Sequence, residues 1–224
     1  MKNDWVKMPS SWIIEQKKLK ELKWENKEKS DSIASLIIYI IFLHYYHLSD
    51  NKPDFSITYN KIKEISGLSK AKISGGIKKL QLINLLKVKK NKKSNVYEIE
   101  GINNNNWAKM PFKKLYCKQF AKIEFFEHFK LRSKNELNAL KLYLLIVSFR
   151  DIETNSTKIT YDKICDYTGI FRNEISFSIS FLINLRLINV DTEPSQNYDG
   201  SVNVYRISHI EPYNHRGTVS RKSI

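Results

Sequence analysis

Two stretches of this chain repeat each other at a constant offset of 102 residues, and nothing else in the sequence limits the fold as much. Trp5-Val6-Lys7-Met8-Pro9 is answered by Trp107-Ala108-Lys109-Met110-Pro111, and Ile57-Thr58-Tyr59 with Lys61-Ile62 by Ile159-Thr160-Tyr161 with Lys163-Ile164. Gly67, Ile73, Ile77, Leu80, Leu85 and Val88 fall on Gly169, Ile175, Ile179, Leu182, Leu187 and Val190 in the same register. Asn95-Val96-Tyr97 is answered by Asn203-Val204-Tyr205 at an offset of 108, so the second copy carries six extra residues before its last segment. A fixed period held over so many positions marks a duplicated structural unit. The 224 residues divide into units 1–103 and 104–210 and a basic tail, 211–224. Units of this size can each bury a small core.

Both copies read the same way. The Met-Pro step comes first and should be extended, because the residue before a proline is pushed out of the helical region. A polar amphipathic stretch follows, 15–24 in one copy and 119–129 in the other. Next comes an apolar helix: 135–149 carries Leu137, Leu140, Leu144 and Leu145 on one helical face, and its counterpart 32–46 is apolar almost all round. Two short helices and a tight turn come next. Thr58 and Thr160 are suited to cap 59–66 and 161–168, and Gly67 and Gly169 supply the left-handed residue that ends them. Ser69 can cap 70–82, whose equivalent is 171–185. Two strands close each copy, 85–90 with 96–99 and 187–191 with 202–207. The expected class is α+β, mainly α. Helix, helix, turn, helix and β-hairpin is the winged-helix arrangement, a relative of helix-turn-helix.

The second copy reads ITYDKICDYTGIFRNEISFSISFLINLRLINV over 159–190 and closes on Asn203-Val204-Tyr205-Arg206-Ile207. This run, with the lead WAKMPFKKLY at 107–116, resembles the winged-helix domains of plasmid replication initiators and phage replisome organisers. The resemblance covers nearly the whole chain, once per copy. It implies two tandem winged helices that bind double-stranded DNA at the repeated sites of an origin. A transcriptional regulator, including one of its own operon, shares the same core and stays open as an alternative. A third possibility is a module that binds other proteins. A homodimer and contacts to replication or transcription proteins would fit any of these.

The charge agrees with a polyanionic partner. Lys plus Arg number 38 against 23 Asp plus Glu, a formal charge of +15, which suits nucleic acid or an anionic membrane. The apolar run 33–46 is 14 residues, short of the roughly 20 that span a bilayer, so a buried core helix and no membrane is expected. No apolar stretch follows the first lysines, so no signal peptide is expected. Two cysteines, Cys117 and Cys165, fit reduced thiols in a cytoplasmic protein. The histidines (His44, His47, His128, His209, His215) show no metal-ligand spacing, and there is neither a phosphate-cradling glycine loop nor a nucleophile signature. No enzyme activity, catalytic residue, cofactor or metal is expected; His44 and His47 suit a core or helix-end position.

DNA-facing residues follow from the third helix of each copy. In 70–82, Ile73, Ile77 and Leu80 face inward, leaving Lys70, Lys72, Ser74 and Lys78 outward, where lysine suits phosphates and serine either phosphate or base edge. The plainer alternative is a solvated lysine face. Gly75 and Gly76 each cost up to ~1 kcal/mol of helix stability against Ala; they suit close approach to DNA or mark local weakness. The loop after this helix holds Lys87, Lys89, Lys90, Lys92 and Lys93 and no acid, where a wing should meet phosphate; Lys89, Lys90, Lys92 and Lys93 are its expected contacts. The second copy offers Arg172, Asn173 and Ser176 with an outward Phe177, side chains shaped for guanine, adenine and a thymine methyl. Its wing instead carries Asp191, Glu193 and Asp199. Residues 1–100 hold 20 basic and 11 acidic residues (+9), and 101–214 hold 15 and 12 (+3). The expectation is a division of labour: electrostatic grip from the first copy, base reading or protein contact from the second.

Overall fold

The computed structural model describes residues 4–25, 28–52, 54–90, 95–117, 122–194 and 201–210, the side chains of Lys90 and Ser201 excepted. The first half runs β1 (Trp5–Pro9), α1 (Ser11–Ile14), a 3-10 turn (Lys18–Glu21), α2 (Lys29–Leu48), β2 (Asp54–Ser56), α3 (Tyr59–Ser66), α4 (Lys70–Leu82), β3 (Leu86–Lys90) and β4 (Asn95–Ile99). The second runs β5 (Trp107–Pro111), 3-10 turns at Lys113–Leu115 and Glu124–His128, α5 (Lys134–Phe149), β6 (Ser156–Lys158) and α6 (Tyr161–Thr168). A 3-10 turn at Arg172–Glu174 then leads into α7 (Ile175–Asn184), β7 (Ile188–Pro194) and β8 (Ser201–Ile207). The architecture is α+β.

Local chemistry sets the helix ends. The hydroxyls of Thr58 and Thr160 accept hydrogen bonds from the backbone N–H of Lys61 (3.1 Å) and Lys163 (3.3 Å), and Ser69 does the same for Lys72 (3.3 Å). Gly67 (φ +74°) and Gly169 (φ +70°) end α3 and α6 in the left-handed region. Ser133 and Glu136 form a reciprocal capping box at the start of α5. The polar stretches after the lead strands are not regular amphipathic helices: Lys17 at φ +49° breaks the first into α1 and a 3-10 turn. Positions 118–121 of the second lie outside the described residues.

The three-stranded sheets have the orders β2-β4-β3 and β6-β8-β7. Phe55 stands opposite Tyr97 and Thr157 opposite Tyr205, which are the same positions of the repeat. The short strands β2 and β6 are not apparent from the sequence; three residues give too brief an alternation to register. The strands of the second hairpin are longer than expected, with Ile188 to Pro194 paired to Ile207 to Ser201.

β1 and β5 pair with each other, antiparallel. Trp5 lies opposite Pro111, Pro9 opposite Trp107, and Lys7 opposite Lys109 at the centre. Since Lys7 and Lys109 are one position of the repeat, the ribbon carries a local twofold axis. Trp5 and Trp107 stack with centroids 5.6 Å apart; Lys7 lies over Trp107 (5.6 Å) and Lys109 over Trp5 (4.9 Å). The segments beyond the ribbon cross over reciprocally. Lys17 and Lys20 reach Asp166 on α6 (2.5 and 3.2 Å). Phe112 and Tyr116 pack on His44 of α2, and the Ile123 N–H donates to the carbonyl of Ile65 at 3.3 Å.

Buried apolar residues of both halves consequently form one continuous core. α2 and α5 run through it, which is why α2 is apolar on every side: Ile33 through Leu43 are inaccessible. At 20 residues α2 is longer than the apolar run suggests and, by length and composition alone, could cross a membrane; most of it is buried inside the protein.

Candidate nucleic-acid interface

The two third helices and the hairpins that follow hold the residues singled out by the sequence. α4 is a continuous helix despite its two glycines, and α2 supplies the reason. A Cβ on Gly76 would come within 2.7 Å of Ile38 Cδ1 and 2.9 Å of the backbone at Ala34 and Ser35; one on Gly75 would meet the Asp31 carboxylate at 2.5 Å. These glycines let α4 lie directly on α2. They answer a packing demand, in place of the approach to DNA or the local weakness expected.

That packing also corrects the direction of Lys72. Residues 72, 76 and 79 share the face of α4 turned to α2, so the Lys72 ammonium donates to Ser30 (2.5 Å) and to Asp31 (2.9 Å), and Lys79 pairs with Glu28 (2.7 Å). Lys70 and Lys78 are exposed, Ser74 is half-buried, and neither of the two exposed lysines pairs with another described residue.

On the first hairpin, β3 and β4 pair from Leu86↔Ile99 to Lys90↔Asn95. Lys89 is exposed and faces Glu98 (3.2 Å) and Asp54 (3.5 Å); Lys87 faces Glu100 (2.5 Å). The hydrogen bond that the Lys89 ammonium donates to Glu98 holds its pKa above the ordinary lysine range. Surface pairs of this kind are worth little, so they leave Lys89 available to a stronger anion. Lys92 and Lys93, and the side chain of Lys90, lie outside the described residues.

In the second half Arg172 and Asn173 are exposed, within the 3-10 turn ahead of α7 rather than in its first α-helical turn. Arg172 forms an ion pair with Asp162 and lies over the Tyr161 ring at 5.6 Å. Ser176 is exposed beside Phe177, which is 67% accessible. Phe171, 64% accessible, was missed in the sequence; the signal was there, since it occupies the repeat position of the capping Ser69. The acids of the second hairpin face bases across the sheet, Asp191 to Arg206 (3.0 Å) and Glu193 to Lys158 (2.6 Å). Asp199 and the tail 211–224 lie outside the described residues.

His44 sits where the halves meet. Its Nε2 lies 3.1 Å from the Pro111 carbonyl, which can only accept, so Nε2 carries the proton and Nδ1 accepts from the Tyr116 hydroxyl (3.0 Å). Burial pushes its pKa down to about 3, so it is neutral, and both ring nitrogens are taken up by Pro111 and Tyr116. Among the described residues no group of three or more His, Cys, Asp or Glu could hold a metal ion. No protein-family model matches this chain, and no curated protein matches it.

Proposed function

We propose that this protein binds double-stranded DNA through two winged-helix units joined by duplication, and that it acts in the cytoplasm as a replication initiator of plasmid or phage type at repeated origin sites. The observation that carries this reading is the recurrence, in both halves, of long helix, short strand, two helices and two strands with one strand order. In such a unit the third helix enters the major groove and the hairpin meets backbone phosphate or minor groove. Lys70, Lys78 and Lys89 in one half and Arg172, Asn173 and Ser176 in the other are the side chains assigned to that contact. The local twofold at Lys7 and Lys109 favours two contacts made by one chain. The step from duplex binding to initiation rests on the sequence resemblance alone.

The test is binding of the whole chain to random and selected duplexes over a range of salt. Lys70→Ala with Lys78→Ala should weaken binding to every duplex and lower the slope of log affinity against log salt by roughly 2, if each neutralises one phosphate. No duplex binding at low salt would refute the reading. The exposed Phe171 and Phe177 favour one second reading, in which the second half docks on protein. A transcriptional role shares the duplex contact and is separated by the bound sites: direct repeats beside an AT-rich stretch for initiation, an inverted repeat over a promoter for regulation.

A further inference from the structure

We propose that Phe171 and Phe177 form a thymine-methyl reader, so that the second half selects duplex sites by apolar contact where the first half grips by charge. The inference rests on the duplex-binding reading above and names what α7 recognises. Phe177 lies in the first turn of α7, and Phe171 immediately precedes the 3-10 turn that leads into it; this is the end that meets base edges in a groove-inserted helix. Both are exposed to about two thirds, and each replaces a residue that serves stability in the other half. Phe171 stands where Ser69 caps α4; without that cap the chain enters α7 through a 3-10 turn with no side-chain cap. Phe177 stands where Gly75 lies against Asp31. Exposed phenyl rings at two such positions contribute nothing to the core of this chain.

The surroundings fit a nucleic-acid groove. Lys134 lies over the Phe171 ring at 4.4 Å, and exposed Arg172, Asn173 and Ser176 flank the two rings. Lys134 is also paired with Glu174 (2.7 Å) and Arg172 with Asp162, so the charge beside each ring is partly offset. The two rings present separate apolar surfaces whose match in the major groove is the C5-methyl of thymine.

The experiment uses the full chain and its preferred duplex, selected from a random pool. Thymines within the footprint of the second half are replaced by deoxyuridine, which removes the methyl and keeps every hydrogen-bonding group. Each methyl removed under a phenyl ring should weaken binding by about fourfold, the worth of one buried methyl-sized group. Phe177→Ala should bind the thymine duplex less tightly and lose most of the remaining response to deoxyuridine; Phe177→Leu should keep part of it. At two-thirds exposure neither variant threatens the fold, which thermal melting checks. An equal deoxyuridine penalty in wild type and Phe177→Ala, or none in either, overturns the methyl reader while leaving duplex binding standing. Loss of self-association in Phe177→Ala with unchanged DNA affinity overturns it in favour of a protein contact. Failure of the wild type to bind any duplex removes both.

Discussion

α4 and α7 hold the same position in the two halves and have been put to different uses. α4 packs directly onto α2, with glycines at 75 and 76 where α7 has Phe177 and Ser178. The Ser178 hydroxyl, fully buried, lies 3.1 Å from both the Asn135 side-chain oxygen and the Glu174 carbonyl, which share its one proton. The inward positions Ile73, Ile77 and Leu80 against Ile175, Ile179 and Leu182 are the same residues in both helices and all buried. Elsewhere the helices diverge in part: Lys70 and Arg172 are cationic in both halves, Lys78 is answered by Ser180, and the exposed Phe171 and Phe177 stand where the first half has Ser69 and Gly75. The repeat keeps the apolar residues by which each helix covers its neighbours and varies the residues at other positions.

The junction between the halves shows the same asymmetry, and acid should expose it with the largest effect. His44 corresponds to Ile146 in the repeat, and both are fully buried. Folding holds His44 neutral, with a pKa near 3 against an ordinary 6.5. As pH falls from 6.5 towards 3, the unfolded chain takes up a proton that the folded one refuses, so stability is lost across that window and is intact above it. At about 1.4 kcal/mol per pH unit the loss between pH 7 and pH 4 is about 3 kcal/mol from this group. Urea unfolding at the two pH values measures it. His44→Ile, which copies the second half, should lower stability at neutral pH by stranding the Tyr116 hydroxyl and the Pro111 carbonyl, yet remove this part of the acid sensitivity. If wild type and variant lose the same amount on acidification, His44 is not what makes the junction acid-labile.

Packing on the long helices should separate the halves next. Gly76→Ala drives a methyl against the backbone of α2 at Ala34 and Ser35, so α4 must move away; overpacking of this kind costs about 2–3 kcal/mol. Ser178→Ala at the same position of α7 adds no volume and removes a hydroxyl with two partners, for about 1 kcal/mol. Equal losses in the two variants would mean that the glycine contact is no tighter than its serine counterpart.

Much of this was legible in the sequence because it is local. Thr58, Thr160, Gly67 and Gly169 act on their own helix ends, so residue type and spacing were sufficient. The β1–β5 ribbon was not legible: a matching Trp-x-Lys-Met-Pro reports that two segments are alike, and says nothing of whether they touch. Lys72 was misdirected for a related reason. Its partners Ser30 and Asp31 lie about 40 residues upstream, and the face it occupies is identified only once Gly76 is seen as a packing residue. The acids beside Lys87 and Lys89 are Asp54 on β2, Glu98 on β4 and Glu100 just after it, whereas the run 87–93 taken alone holds lysine and no acid.

The smallest effect tests the comparison at its sharpest point, the position shared by Ser69 and Phe171. The Ser69 hydroxyl caps α4 through the Lys72 N–H, and losing such a cap costs about 1 kcal/mol. Ser69→Phe should therefore destabilise the chain by about that amount. Phe171→Ser offers α7 a cap and gives up the contact of Lys134 with the ring, worth about 0.5 kcal/mol at an exposed site. It should raise stability by a few tenths to about 1 kcal/mol, read as a shift of the urea midpoint at constant slope. Under the proposed thymine-methyl contact, the same variant should also bind its preferred duplex less selectively. A gain in stability with a loss of selectivity means that the second half gave up a helix cap for recognition. A loss of stability would instead make Phe171 a structural residue, and the two third helices would differ in their packing alone.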